Sequence, residues 1–210
     1  MNYGDIKSHF EALLNRSDIT PALTTTFIDQ GIARIQRQLR TPLNENVTTY
    51  SITGQTSAVT LPNDFLEIIS LYFDGTELQR VPMSKFRNYA QNAYTGNPIS
   101  FTRQQQQLFL HPQPSSGDLV LYYYGEFAPM TQNTDENTLA AVAPDLIIYS
   151  ALTYSADYYL DERGPLFEDK FNQFMLEIQE QANDQETNGG VQVIQPSYQY
   201  ADYSDSYYIN

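Results

Sequence analysis

The chain has 210 residues, with 25 acidic side chains against 11 basic ones, 17 Tyr, 11 Phe, and neither Cys nor Trp. Without cysteine there is no disulfide framework, thiolate-bound zinc, iron–sulfur cluster or thiol nucleophile. A net charge of −14 opposes sequence-independent nucleic-acid binding and docking on anionic lipid, both of which need clustered Lys and Arg.

The first forty residues predict two helices. Ile6, Phe10, Leu13 and Leu14 recur at helical spacing behind Asn2, a natural N-cap. Thr20-Pro21 opens the second helix, with a stripe of Ile28, Ile32, Ile35 and Leu39. Arg34, Arg37 and Arg40 lie three apart on another face. They can line an acidic partner or make ordinary intrachain pairs, and the second reading is favoured.

Residues 46–124 read as short strands. Val47–Ile52 and Ala58–Leu61 flank a turn at Gly54. Ile68–Phe73 and Thr76–Val81 around Asp74-Gly75 give the strongest hairpin signal, because Asp-Gly supplies the positive φ of a type I′ turn. A short helix fits 82–91. Ile99–Thr102 and Leu108–His111 predict a hairpin whose polar tip runs Arg103-Gln104-Gln105-Gln106-Gln107, either a contact loop or a solvated turn. Leu119–Tyr124 closes the set. The pattern predicts an antiparallel sheet.

Helices then return. Pro144 to Leu160 is apolar nearly all round and should be the central buried helix. Gly164-Pro165 starts another, with Phe167, Phe171, Phe174, Met175 and Ile178 as its stripe. It fades near Asp184. After Thr187 no helical period continues. This end holds Tyr198, Tyr200, Tyr203, Tyr207 and Tyr208. Three readings fit it: a disordered tail, an extended arm ordered on a partner, or a further strand through Val191–Ile194. Disordered tails are poor in aromatics, which favours the arm.

The expected fold is therefore α+β. A four-helix bundle, built from two helix pairs (1–45 and 131–186), brackets an antiparallel β insertion (46–130). An extended C-terminal arm (187–210) follows. The charge is uneven: residues 1–60 are neutral, 61–130 carry −2, and 131–210 carry −12, with no basic side chain after Lys170. A signal peptide's apolar stretch is missing from the N-terminus, and no apolar run reaches the roughly 18 residues of a membrane span. A soluble protein made in a cytosol is expected. The sequons at Asn15 and Asn46 are then chance matches.

Reactive chemistry is sparse. His9 sits in the first helix and His111 ends a strand, and both read as structural. There is no nucleophile elbow, phosphate loop or dinucleotide fingerprint. Asp157, Asp161 and Glu162 have spacing that can hold a hard cation or supply an acid/base pair, but a solvated helix end is the favoured reading. No catalytic residue, metal or cofactor is expected.

The stretch Leu61-Pro62-Asn63-Asp64-Phe65-Leu66-Glu67-Ile68-Ile69-Ser70-Leu71-Tyr72-Phe73-Asp74-Gly75 resembles one common in phage adaptor proteins. So do Ala143–Leu152, Tyr158–Arg163 and Ile99–Pro112. The layout over residues 1–180 is similar to the tail tubular protein A-like, head-to-tail adaptors of short-tailed phages. That resemblance implies a non-enzymatic virion protein of the neck. In the family twelve copies form a ring under the portal, arms reach up along the portal, and the β parts face the tail nozzle and, in some phages, the fibres. It implies an arm on the portal through Tyr198, Tyr200, Tyr203, Tyr207 and Tyr208. The Arg103, Gln104, Gln105, Gln106 tip and Asp74 become candidates for facing the nozzle. Genomic double-stranded DNA passes through such a neck, so Asp157, Asp161, Glu162, Glu177 and Glu180 become candidates for lining its channel. The competing readings are another tail or baseplate component and an acidic glycan-binding or glycan-cleaving module.

Overall fold

A computed structural model describes residues 1–90 and 94–187. The tyrosine-rich C-terminal stretch lies outside the described residues. Two helices come first, α1 (Tyr3–Leu14) and α2 (Pro21–Gln38). Asn2 caps α1 by accepting the Asp5 N–H, and Thr20 caps α2 by accepting the Leu23 N–H, as their residue types require. A short 3-10 turn, Pro42–Asn44, leads into the strands.

The strands are β1 (Glu45–Ile52), β2 (Ala58–Thr60), β3 (Phe65–Phe73), β4 (Thr76–Glu77) and β5 (Gln79–Arg80). The helix α3 (Met83–Ala90) intervenes before β6 (Ser100–Gln104), β7 (Gln107–His111) and β8 (Gly117–Gly125). They form two four-stranded sheets, ordered β1-β8-β3-β4 and β2-β7-β6-β5. Buried residues of both sheets, among them Leu71, Phe73, Phe101, Leu108, Leu110, Leu119 and Leu121, share one apolar cluster.

Three helices complete the described chain: α4 (Thr138–Val142), α5 (Pro144–Tyr159) and α6 (Gly164–Thr187). Helix α5 packs against α1, α2, α4 and α6. Leu146, Ile147, Ile148, Ser150, Ala151, Leu152, Ser155 and Ala156 are all buried on it, so it is covered on nearly every side. The second apolar cluster is built around it, with Ile6, Phe10, Ile28, Ile35, Phe167 and Phe171.

This corrects the expected four-helix bundle around a single β insertion. Among the described residues there are six α-helices and two sheets, and one strand pair, β5 with β6, is parallel. The Asp-Gly hairpin forms as expected, with φ of 47° at Asp74 and 80° at Gly75. Its second strand, however, breaks after two residues. Leu78 is buried, and the chain leaves the first sheet there to open the second. A period-two pattern marks strands but does not say which sheet they join. Helix α4, with five residues, is too short to display a helical period in the sequence.

Helices α2 and α5 touch at Gly31. A Cβ there would stand 2.9 Å from the Ala151 backbone nitrogen, and the Gly31 carbonyl accepts the Ser150 hydroxyl at 3.1 Å. Gly31→Ala should therefore destabilise the protein by about 1–3 kcal/mol through overpacking, even though alanine is the better helix former. Gly54, with nothing within 4 Å of a Cβ, is the control and should tolerate alanine. Urea unfolding measures both. A Gly31→Ala variant as stable as the parent would refute the close approach.

Candidate interaction surfaces

The two histidines sit apart. His9 is exposed on α1, whereas His111 is buried among the rings of Phe86, Tyr89 and Tyr94, with centroids 6.1, 6.1 and 5.2 Å away. Among the described residues no three His, Asp or Glu side chains stand close enough to hold one metal ion. The surfaces available for function are faces and edges.

The turn between α5 and α6 is a polar clamp. Leu160 takes a left-handed conformation (φ 53°) and ends α5. Asp161 accepts from the Arg163 backbone N–H at 2.9 Å and from its guanidinium at 2.7 Å. The same guanidinium donates to the Leu13 and Leu14 carbonyls at 3.2 and 2.9 Å and lies over the Phe167 ring. It thus satisfies carbonyls left open at the end of α1. The side-chain and backbone hydrogen bonds from Arg163 lower the Asp161 pKa to about 2.

The other acidic candidates lie elsewhere on the helices. Asp157 and Glu162 are exposed near this clamp. Glu177 and Glu180 are exposed further along α6, about 20 Å away along its axis. Glu177 accepts from the Gln173 amide at 2.9 Å. Of the five carboxylates, Asp161 is the one in an ion pair among the described residues.

The arginine triplet is used inside the chain. Arg34 grips Glu168 at 2.5 and 2.9 Å, donates to Thr153 and covers the Phe171 ring at 4.0 Å. That pairing lowers the Glu168 pKa. Arg37 donates to the Tyr154 hydroxyl at 3.3 Å. Arg40, just past α2, donates to Glu67 at 3.0 Å and so ties the chain leaving α2 to β3.

The polar tip is a tight turn with Gln105 at φ 53°, and Arg103 through Gln106 are exposed. Arg103 lies over the Phe65 ring at 4.7 Å. Asp74 stands beyond the other end of β3, where it accepts the Asp118 N–H at 2.8 Å. The tip and Asp74 are therefore about 25 Å apart along β3 and do not form one patch.

The sequence reading missed an open apolar face on the first sheet. Val47, Ile69, Tyr72, Val120 and Tyr122 line a groove of about 550 Å³ there. Register shifts along β3 on either side of Ile68 accompany the exposure of Ile69. An alternation broken by a bulge hides such a face from periodicity. Leu160, Leu166 and Leu176 are further exposed apolar side chains on the helical side.

A family model described as the SU10 adaptor protein matches residues 1–194. No curated protein matches the chain. Tyr198, Tyr200, Tyr203, Tyr207 and Tyr208 fall beyond the matched residues and outside the described ones.

The clamp yields an acid-sensitivity test. The folded-state pKa of Asp161 lies below that of an unfolded aspartate, so its stabilisation is complete above about pH 4 and is lost as pH falls toward 2. Melting temperatures across pH 5 to 2 should fall less steeply for Asp161→Asn than for the parent. Parallel curves would disprove the coupling. Arg163→Ala should cost about 1 kcal/mol at neutral pH by uncapping α1.

Proposed function

The chain belongs to the SU10 adaptor family of phage structural proteins, and from that premise we propose that it is the head-to-tail adaptor of a virion neck. It forms a homo-oligomeric ring of twelve copies that joins the portal protein to the tail nozzle. It works by shape and charge, without catalysis. The observation that carries this reading is the family match over residues 1–194.

Two physical features support it. A ring needs each copy to offer two different faces, because head-to-tail contacts close only when one patch fits another. The exposed apolar groove on the first sheet and the exposed leucines of the helical side are such unlike surfaces. A DNA channel should repel phosphates so that the duplex slides, the reverse of the counterion release that makes basic proteins stick. Asp157, Glu162, Glu177 and Glu180 are exposed and carry no ion pair among the described residues, which suits them to that lining. Asp161 adds little, since Arg163 neutralises it.

The C-terminal tyrosines Tyr198, Tyr200, Tyr203, Tyr207 and Tyr208 anchor the arm on the portal, each burying apolar area around a polar tip. Asp74, at the end of β3 remote from the Arg103 tip, faces the nozzle or a fibre. So does the tip itself, with Gln104, Gln105 and Gln106, which then requires a partner that reaches both ends.

Light scattering of the protein alone and with purified portal tests the reading. Expected is a portal complex heavier by twelve times 24.0 kDa. A protein that stays monomeric beside the portal rules it out. Removing residues 191–210 should leave the melting temperature unchanged and abolish portal binding. Undiminished binding of the truncated protein would refute the arm's role.

A further inference from the structure

One stretch reverses the charge of the molecule. From Leu78 to Gly117 there are four basic side chains, Arg80, Lys85, Arg87 and Arg103, and no carboxylate, in a chain of net charge −14. The stretch contains α3, which packs on β6 and β7 through Phe86. Lys85 and Tyr89 are exposed along one flank of α3 and Arg87 on the other, with Tyr94 exposed nearby. Lys85 leans toward the Tyr89 ring at 5.9 Å. Among the described residues, Arg80, Lys85 and Arg87 meet no carboxylate at ion-pair distance. Arginine and tyrosine are enriched at interfaces and acidic residues depleted there, which suits Arg87, Tyr89 and Tyr94, with Lys85 as a rim charge.

A complementary surface lies where the helices meet the strands. A groove of about 800 Å³ is lined by Leu43, Glu45, Asp64, Glu126, Phe127 and Glu136, among others, and by no Lys or Arg. Glu126 and Asp64 are joined there by a backbone hydrogen bond of 2.7 Å, and Glu45 precedes Asn46, whose amide holds Asp64. Carboxylates over an apolar floor fit a helix that carries cations and an aromatic ring. Asp64 is already held by the Asn46 amide and the Tyr123 hydroxyl at 3.1 Å, and Glu136 by the Met1 ammonium. Glu45 and Glu126 remain exposed, with no ion pair among the described residues.

We propose that α3 of one copy docks in this junction groove of the next copy, with Lys85 and Arg87 facing Glu45 and Glu126. The contact rests on the ring reading above and adds a charged pair of surfaces to the apolar ones offered there. It is heterologous, as a ring demands, and its charges fix the order and direction of the copies. A single exposed ion pair is weak, so the array and the Tyr89 ring, covered on docking, together supply the strength.

Reversing either side tests the contact. Lys85→Glu with Arg87→Glu, or Glu45→Lys with Glu126→Lys, should cut the assembled fraction at least about tenfold, measured by scattering with purified portal. All four side chains are exposed, so melting temperatures should stay near the parent's. Carrying both reversals in one chain should restore assembly. A ring that survives each single reversal, or one that the combined variant does not restore, overturns this contact and leaves the ring itself intact. A parent protein that remains monomeric with the portal overturns the ring and the contact together.

Discussion

The helical half depends on one buried helix. Helix α5 has neighbours on nearly every side, and it can exist only if α1, α2, α4 and α6 enclose it. The helices on its two sides are separated in sequence by the whole strand region, so neither half of the chain can bury its apolar stripe alone. The tightest point of the enclosure is the crossing of α2 and α5 at Gly31, where backbone meets backbone. Closing this core forces the strand region to leave and return at one place. The Arg40–Glu67 pair and the hydrogen bond from Asn44 to the Gly125 carbonyl mark that place.

Much of this arrangement was legible in the residues, and the failures are instructive. The caps Asn2 and Thr20, the Asp-Gly turn, and the apolar stretch of α5 each act through local chemistry, and each stands where the pattern put it. Sheet membership is not local. Thr76 to Val81 alternates like one strand, yet the burial of Leu78 between the sheets divides it into β4 and β5. The arginine triplet shows the opposite case. The expected intrachain carboxylate pairs form at Arg34 and Arg40, because Glu168 and Glu67 are brought to them from other elements, whereas Arg37 donates to the Tyr154 hydroxyl instead.

For the candidate sites, composition carried more than spacing did. The acid excess late in the chain was visible at once, but Asp161 differs from its neighbours for a reason that only three dimensions reveal. Its partner Arg163 also reaches the carbonyls that end α1. The acid-free stretch around α3 was equally visible and carried no meaning until the groove bearing Glu45 and Glu126 appeared opposite in charge. An adaptor is identified by faces, and faces are assembled from residues that sequence order scatters.

Helix α6 carries a consequence of its own. It doubles back from the clamp, so that Ile178 and Ala182 come to lie beside Thr41 to Leu43, where the strands begin. Aligned peptide dipoles make the carboxyl end of any helix electronegative, yet this one places Glu177, Glu180 and Asp184 there and no cation after Lys170. Asp184, in the last turn, opposes the helix by about 0.3–1 kcal/mol, and the like-charge spacings of Glu177 with Glu180 and of Glu180 with Asp184 add about 0.2–0.5 kcal/mol each. The last turns are therefore the least stable part of α6. Salt screens such repulsion, so this end of α6 is the part of the helical half whose order is tied to its ionic surroundings, while the enclosed α5 is held by apolar contacts that salt does not screen.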